Sequence, residues 1–226
     1  MADIYHVLSR GVDKRKIFLD DQDRIRFIHD LYEFNDEEPV SNVFYRFQKN
    51  IDIASRYIKQ KPRKLLVKIH VFNLLPNHYH LMLSSLRQGV HSLFMKKLNI
   101  GYSKYFNEKY ERTGALFEGR FRRVLIKNQS HFIHLPYYIH VINTLDLLQL
   151  GWREKKEINY TEAIKFLDSY RWSSHLDYCG KKNFPSVTQR DFLLEFFGGE
   201  ENYQKEIRRW LKEFDVESMR DIILEE

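Results

Sequence analysis

Apolar positions along this chain alternate at two different periods, and the changes of period mark its elements. Ile4 to Ser9 reads as a strand, closed by Arg10-Gly11. Asp20 or Asp21 can cap a helix that runs through Phe27, Ile28 and Leu31 to about Phe34. Leu66 to Leu74 reads as a second strand, Pro76-Asn77 as a turn, and His78 to about Ser84 as a third strand. The second and third strands therefore form a hairpin. From Val90 to Tyr110, Phe94, Leu98, Tyr102 and Tyr105 fall at helical spacing. Phe121 to Lys127 reads as a fourth strand, and Ser130 can cap another helix reaching about Leu148.

The order strand, helix, strand, strand, helix, strand is the split βαβ arrangement. It predicts an α+β fold: a ferredoxin-like antiparallel sheet with helices on one face, an extra helix after the last strand, and a helical C-terminal extension. The domain is expected to span 1–178, with an insertion at 35–64 that carries a short helix at 50–60. The extension, 179–226, has Trp210 and Leu211 inside an acidic helix, and either folds back over the domain or covers a binding groove.

In the helix after the fourth strand, Phe132, Leu135, Ile139 and Ile142 form one apolar stripe. Tyr138 lies on the border of that stripe, beside His131 and His134. Tyr137 points away from it and is expected to face solvent. Pro136 is expected to kink this helix or begin a new one.

Composition narrows the function classes. The chain has 226 residues, 43% hydrophobic and 15% aromatic, enough for a packed core and unlike a disordered protein. Net charge is +6, which leans toward a polyanionic partner. The distribution says more: Arg87 to Lys127 carries ten Lys/Arg against three Glu, whereas Glu200 to Glu226 has nine acids against five bases. The single cysteine, Cys179, excludes an internal disulfide framework and any Cys-rich zinc module. Asp3, Arg10 and Asp13 interrupt any leader-like apolar stretch, and no apolar run approaches a membrane span. A cytoplasmic protein without a membrane segment is expected.

Candidate chemistry centres on Asn77-His78-Tyr79-His80-Leu81-Met82. Strand residues two apart share a face, so His78 and His80 emerge side by side. Imidazole binds divalent metals, and a metal held there can polarise a phosphoryl oxygen. On sequence alone, a half-exposed strand that merely bears two histidines is an equally simple reading.

His78-Tyr79-His80 resembles the HUH motif, two histidines flanking a bulky hydrophobic residue, and Tyr138-Ile139-His140 resembles the nucleophile segment of single-tyrosine HUH transposases. The branch it looks most like is the REP-associated tyrosine transposases. Further pieces agree in order: Tyr5-His6-Val7 with Ser9-Arg10-Gly11, Leu75-Pro76-Asn77, the run Gly114-Ala115-Leu116-Phe117-Glu118-Gly119-Arg120-Phe121, and Trp172-Ser173-Ser174. Together they cover roughly residues 3–178.

The resemblance implies a metal-dependent single-stranded DNA endonuclease and strand transferase acting at hairpins. Tyr138 would attack the scissile phosphate and form a 5′-phosphotyrosine link. His78 and His80 would hold Mg²⁺ or Mn²⁺, with Asn143 as a third ligand. The resemblance implies a monomer, as that branch acts, with a dimer that shares its active site as the alternative. The family usually places asparagine four residues after the tyrosine, but here position 142 is isoleucine and Asn143 comes one residue late. Five residues along a regular α-helix rotate a side chain by about 140° from the first. A single π-bulge absorbs the extra residue, so a helix irregularity between Tyr138 and Asn143 is expected; without it, His140 or solvent would complete the site.

Candidate DNA contacts are Lys96, Lys97 and Lys104 along the central helix, and Arg112, Arg120, Arg122 and Arg123 around the fourth strand. Arg10, Lys14, Arg15 and Lys16 near the N-terminus are candidates for contact with a short DNA guide segment. Tyr102, Tyr105 and Phe117 belong either to the core or to a base-stacking surface. Two alternatives stand beside the transposase: a related HUH nickase, and a domesticated hairpin-binding protein that has lost cleavage.

Overall fold

A computed structural model describes residues 3–38, 63–150, 152 and 158–213. The short helix expected at 50–60 lies outside them. The elements follow the predicted order, with β1 at Ile4–Arg10, α1 at Asp21–Glu33, β2 at Val67–Leu75 and β3 at His78–Ser85. Next come α2 at Val90–Lys109, β4 at Arg122–Leu125 and α3 at Gln129–Tyr137. A π-helical turn at Tyr138–Ile142 leads into α4, Asn143–Leu145. The C-terminal part holds α5 at Tyr160–Leu167, α6 at His175–Tyr178, α7 at Asp191–Phe197 and α8 at Glu200–Lys212.

The strands form a four-stranded sheet in the order β2-β3-β1-β4, every neighbouring pair antiparallel. That is the ferredoxin-like topology the element order predicts. Strand alternation divides the sheet into two faces. Val7, Tyr79, Leu81 and Leu83 point to one face and pack against Phe27 and Leu31 of α1 and Phe94 and Leu98 of α2. Val71 and Met82 point to the other, where they meet Leu135, Tyr138, Ile139 and Ile142.

A β-bulge in β2 shifts which of its residues face each core. Ile69 pairs with Leu83 and Val71 with Met82, so His70 is an extra residue opposite no partner of its own. Ile69 therefore joins the first core and Val71 the second, although two residues apart they would ordinarily share a face.

Local chemistry explains the element ends. Asp20 caps α1 reciprocally with Asp23: Asp23 N–H donates to the Asp20 carboxylate at 2.9 Å, and Asp20 N–H to that of Asp23 at 3.4 Å. Asp23 is fully buried and also accepts from Tyr105, Lys109 and Tyr110, tying the start of α1 to the end of α2. Tyr102, buried, and Phe117, 7% exposed, belong to the core and not to a stacking surface.

The C-terminal helices close over the second face. Leu193, Tyr203, Ile207 and Leu211 share one core with the π turn. Tyr137 corrects its sequence reading: it is buried, stacked on Trp210 at 5.5 Å and beside Phe197. The burial, with the Glu206 carboxylate nearby, pushes its phenol up to about 12. Its supposed solvent face is the face that α7 and α8 cover.

Outside β2, residues 172–174 run along the sheet edge. Leu74 N–H donates to the Trp172 carbonyl and Ser174 N–H to that of Phe72, with an antiparallel bridge between Asn73 and Ser173. Gln189 continues this edge, exchanging hydrogen bonds with Ile69 through its backbone amide and its side-chain oxygen. Among the described residues, no helix is long and apolar enough to cross a membrane.

Candidate active site

Pairing sets His78 against Arg10 of β1 and Leu75 of β2, and His80 against Leu8 and Asn73. Directly opposed residues share a face, so Arg10, His78, His80 and Asn73 all lie on the face that carries Tyr138. His6, two residues from Leu8, lies there too, with its Nε2 2.9 Å from His80 Nδ1. The two imidazoles stack at 5.1 Å. Tyr138 meets both edge-on, each ring centroid 5.8 Å away.

The π turn supplies the predicted irregularity. The Asn143 N–H donates to the Tyr138 carbonyl, five residues back, which is the π-helical bond. One wide turn brings Asn143 toward the azimuth of Tyr138, where a regular helix would carry it away. The turn is fastened to the sheet through Asn73, whose side-chain amide donates to the Ile139 carbonyl at 2.6 Å and to Thr144 Oγ1 at 3.0 Å. A buried asparagine opposite His80 thus holds the tyrosine segment in place.

The donor set fits a divalent cation. His78 Nδ1 lies 2.6 Å from the Asn77 side-chain oxygen, a contact that requires N–H at Nδ1 and leaves the lone pair on Nε2. His80 Nδ1 faces His6 Nε2 at 2.9 Å, and the tautomer with N–H on His80 Nδ1 would likewise leave its Nε2 lone pair for a metal. Metal-binding histidines are characteristically oriented this way, by an acceptor on the other ring nitrogen. His140 does not join them: its Nδ1 meets Tyr203 Oη and its Nε2 meets Ser174 Oγ, both at 2.7 Å.

The basic candidates fall into separate groups. Gly11 N–H donates to the Asn77 carbonyl, Asn77 Nδ2 to the Lys14 carbonyl and Glu118 N–H to the Arg10 carbonyl. Arg10 and the exposed Lys14, Arg15 and Lys16 are thereby gathered beside the turn that precedes His78. Gly11 is required in this loop, because a Cβ there would lie 2.3 Å from the Arg15 carbonyl oxygen. Arg122, opposite Leu8, faces the tyrosine side, whereas Arg123, opposite Val7, faces the other and sits over the Tyr5 ring.

Exposed Arg120 lies outside β4. Arg112 is engaged with Asn107 Oδ1 and the Ala115 carbonyl. Exposed Lys96 and Lys104 are carried by α2, on the face opposite Tyr138. Lys97, also on α2, donates to the backbone carbonyls of Asp36 and Glu38.

Two members of this constellation escaped the sequence reading of the site. His6 needed knowledge that β1 pairs with β3, a contact between residues 74 apart. Asn73 did leave a signal, as a polar residue inside the apolar run Val71-Phe72-Asn73-Leu74-Leu75. A separate cluster lies apart from the histidine pair: Asp168, His175 and Cys179 place ligand atoms within 4.8 Å of one another.

No protein-family profile and no curated protein matches the chain. Among solved structures it is similar to one described as the REP-associated tyrosine transposase bound to a REP hairpin, with 13% identity and a TM-score of 0.47 over 82% of this chain and 84% of that one.

Proposed function

We propose that this protein cuts and rejoins single-stranded DNA at a hairpin, with Tyr138 as the nucleophile. The observation that carries the reading is the placement of Tyr138, edge-on to the His6–His80 pair, on a π turn that brings Asn143 toward the same side. In the reaction, the phenol oxygen forms a bond to phosphorus, its proton leaves, and the 3′ oxygen departs as a hydroxyl. The phosphotyrosine link conserves the bond energy, so a second 3′-hydroxyl can reverse the step on another strand. Mg²⁺ or Mn²⁺ held by His78, His80 and Asn143 would supply Lewis-acid polarisation of a non-bridging phosphate oxygen. Arg10 and Arg122 on the same face, with the Lys14–Lys16 loop beside it, would bind the phosphate backbone.

A second reading is a hairpin-binding protein without cleavage. The observation favouring it is burial: Tyr138 and His80 are 0% exposed, so a phosphate reaches the phenol only after what covers it moves.

Incubating the full chain with an end-labelled hairpin oligonucleotide and Mn²⁺ separates the two. Cleavage predicts a denaturant-resistant protein–DNA adduct in the wild type and none in Tyr138→Phe, with hairpin binding retained in both. Binding without any wild-type adduct supports the second reading.

A further inference from the structure

We infer that Asp168, His175 and Cys179 form a binding site for a zinc-class divalent ion, separate from the histidine pair and independent of its role. His175 and Cys179 stand four residues apart across α6, which puts both side chains on one face. Asp168 follows the end of α5 and completes a group whose ligand atoms all lie within 4.8 Å of one another. The three line one pocket together with Ile164, Leu167 and Gln204.

The His175–Cys179 separation matches the coordination chemistry. His175 Nε2 lies 3.6 Å from Cys179 Sγ. Zinc bonds of about 2.3 Å to sulfur and about 2.0 Å to nitrogen, at a tetrahedral angle, place those two atoms about 3.5 Å apart. A thiolate and an imidazole select a borderline-soft ion over Mg²⁺, and the thiolate and carboxylate charges together neutralise a dication.

The surroundings orient the histidine for this role. His175 Nδ1 lies 3.0 Å from Tyr203 Oη, which also meets His140 Nδ1. Of the two proton assignments that satisfy the whole chain of groups, the one a metal would select has Ser174 donating to the Phe72 carbonyl and accepting from His140 Nε2–H, with Tyr203 donating to His140 Nδ1 and accepting from His175 Nδ1–H. That assignment leaves the lone pair of His175 on Nε2, facing Cys179.

Asp168 Oδ1 is held by Lys181 Nζ at 3.1 Å, with both side chains substantially exposed. An exposed ion pair of this kind is worth little, so the carboxylate can exchange it for a cation. The ion would join α5 and α6, and through Tyr203 would brace α8 beneath the tyrosine segment.

The test is a Co²⁺ and Zn²⁺ titration of the full chain after chelator treatment, read by absorption. One equivalent of Co²⁺ giving a sulfur-to-cobalt charge-transfer band, absent in Cys179→Ser and displaced by Zn²⁺, is the expected result. Asp168→Asn, a near-isosteric change that removes the carboxylate charge, should weaken Zn²⁺ binding at least tenfold. Absence of a thiolate band in folded wild type overturns the site. So does Zn²⁺ affinity that is unchanged in Asp168→Asn but lost in a His78→Ala/His80→Ala double variant.

Discussion

The backbone amide of Asn143 donates to the carbonyl of Tyr138, skipping the acceptor that an α-helix would use. One residue between them is therefore an insertion that the helix absorbs without disturbing its flanks. Removing Ile142 should turn Tyr138–Leu145 into a regular helix with the asparagine four residues after the tyrosine. The deletion variant is expected to fold, losing about 2–4 kcal/mol for the missing buried side chain. Urea unfolding with amide exchange across the segment checks this, and failure to fold would show that the extra residue is essential.

Asn73 holds that turn to the sheet through its bonds to Ile139 and Thr144. Asn73→Ala removes both donors from a buried site and should cost about 1–3 kcal/mol. Its effect should concentrate in faster exchange of the Tyr138–Leu145 amides. A uniform change across the whole sheet would contradict the stapling role.

His70, the bulge residue in β2, is 2% exposed, with Nε2 2.9 Å from Ser84 Oγ and Nδ1 3.3 Å from the Gln189 carbonyl. Burial, with a smaller contribution from the Lys68 cation, lowers its pKa from 6.5 to about 4. The unfolded chain thus takes up the proton first. The stability tied to the neutral ring is complete above pH 6.5 and is lost as pH falls toward 4. Wild type should lose on the order of 3 kcal/mol more than His70→Gln across that window. Parallel stability–pH curves for the two proteins would refute it.

Gly101 lets α2 approach the end of α1, since a Cβ there would lie 2.3 Å from two ring atoms of Phe34. Alanine would gain about 1 kcal/mol of helix propensity at this position. Overpacking should outweigh that gain, so Gly101→Ala is expected to lose a net ~1–2 kcal/mol. Equilibrium denaturation decides the sign, and a stabilised variant would mean that the Phe34 ring yields freely.

Much of this was legible in sequence because it rests on local pattern. The strand and helix order and the hairpin at Pro76-Asn77 follow from spacing, and the expectation of a π turn follows from Asn143 standing one residue later than in the family the sequence resembles. What escaped depended on distant chain. Tyr137 was assigned to solvent because its cover, Trp210 and Phe197, lies more than fifty residues later. The bonds from Lys97 to the Asp36 and Glu38 carbonyls left no local trace, because nothing in α2 shows that the loop after α1 returns to it. The β-bulge at His70 left no mark, since Ile69, Val71 and Phe72 suit either register.

The stretch from Trp172 to Ser174 occupies the outer side of β2, so an incoming strand finds the amides of Phe72 and Leu74 already taken. The opposite border, β4, is four residues long and carries Arg122 and Arg123, a short, charged edge of the kind that discourages pairing. Sheet-to-sheet polymerisation is thereby blocked from both directions. A proteolytic nick that released the Trp172 segment would free the amides of Phe72 and Leu74 on the outer side of β2 and turn a self-contained sheet into a template for aggregation.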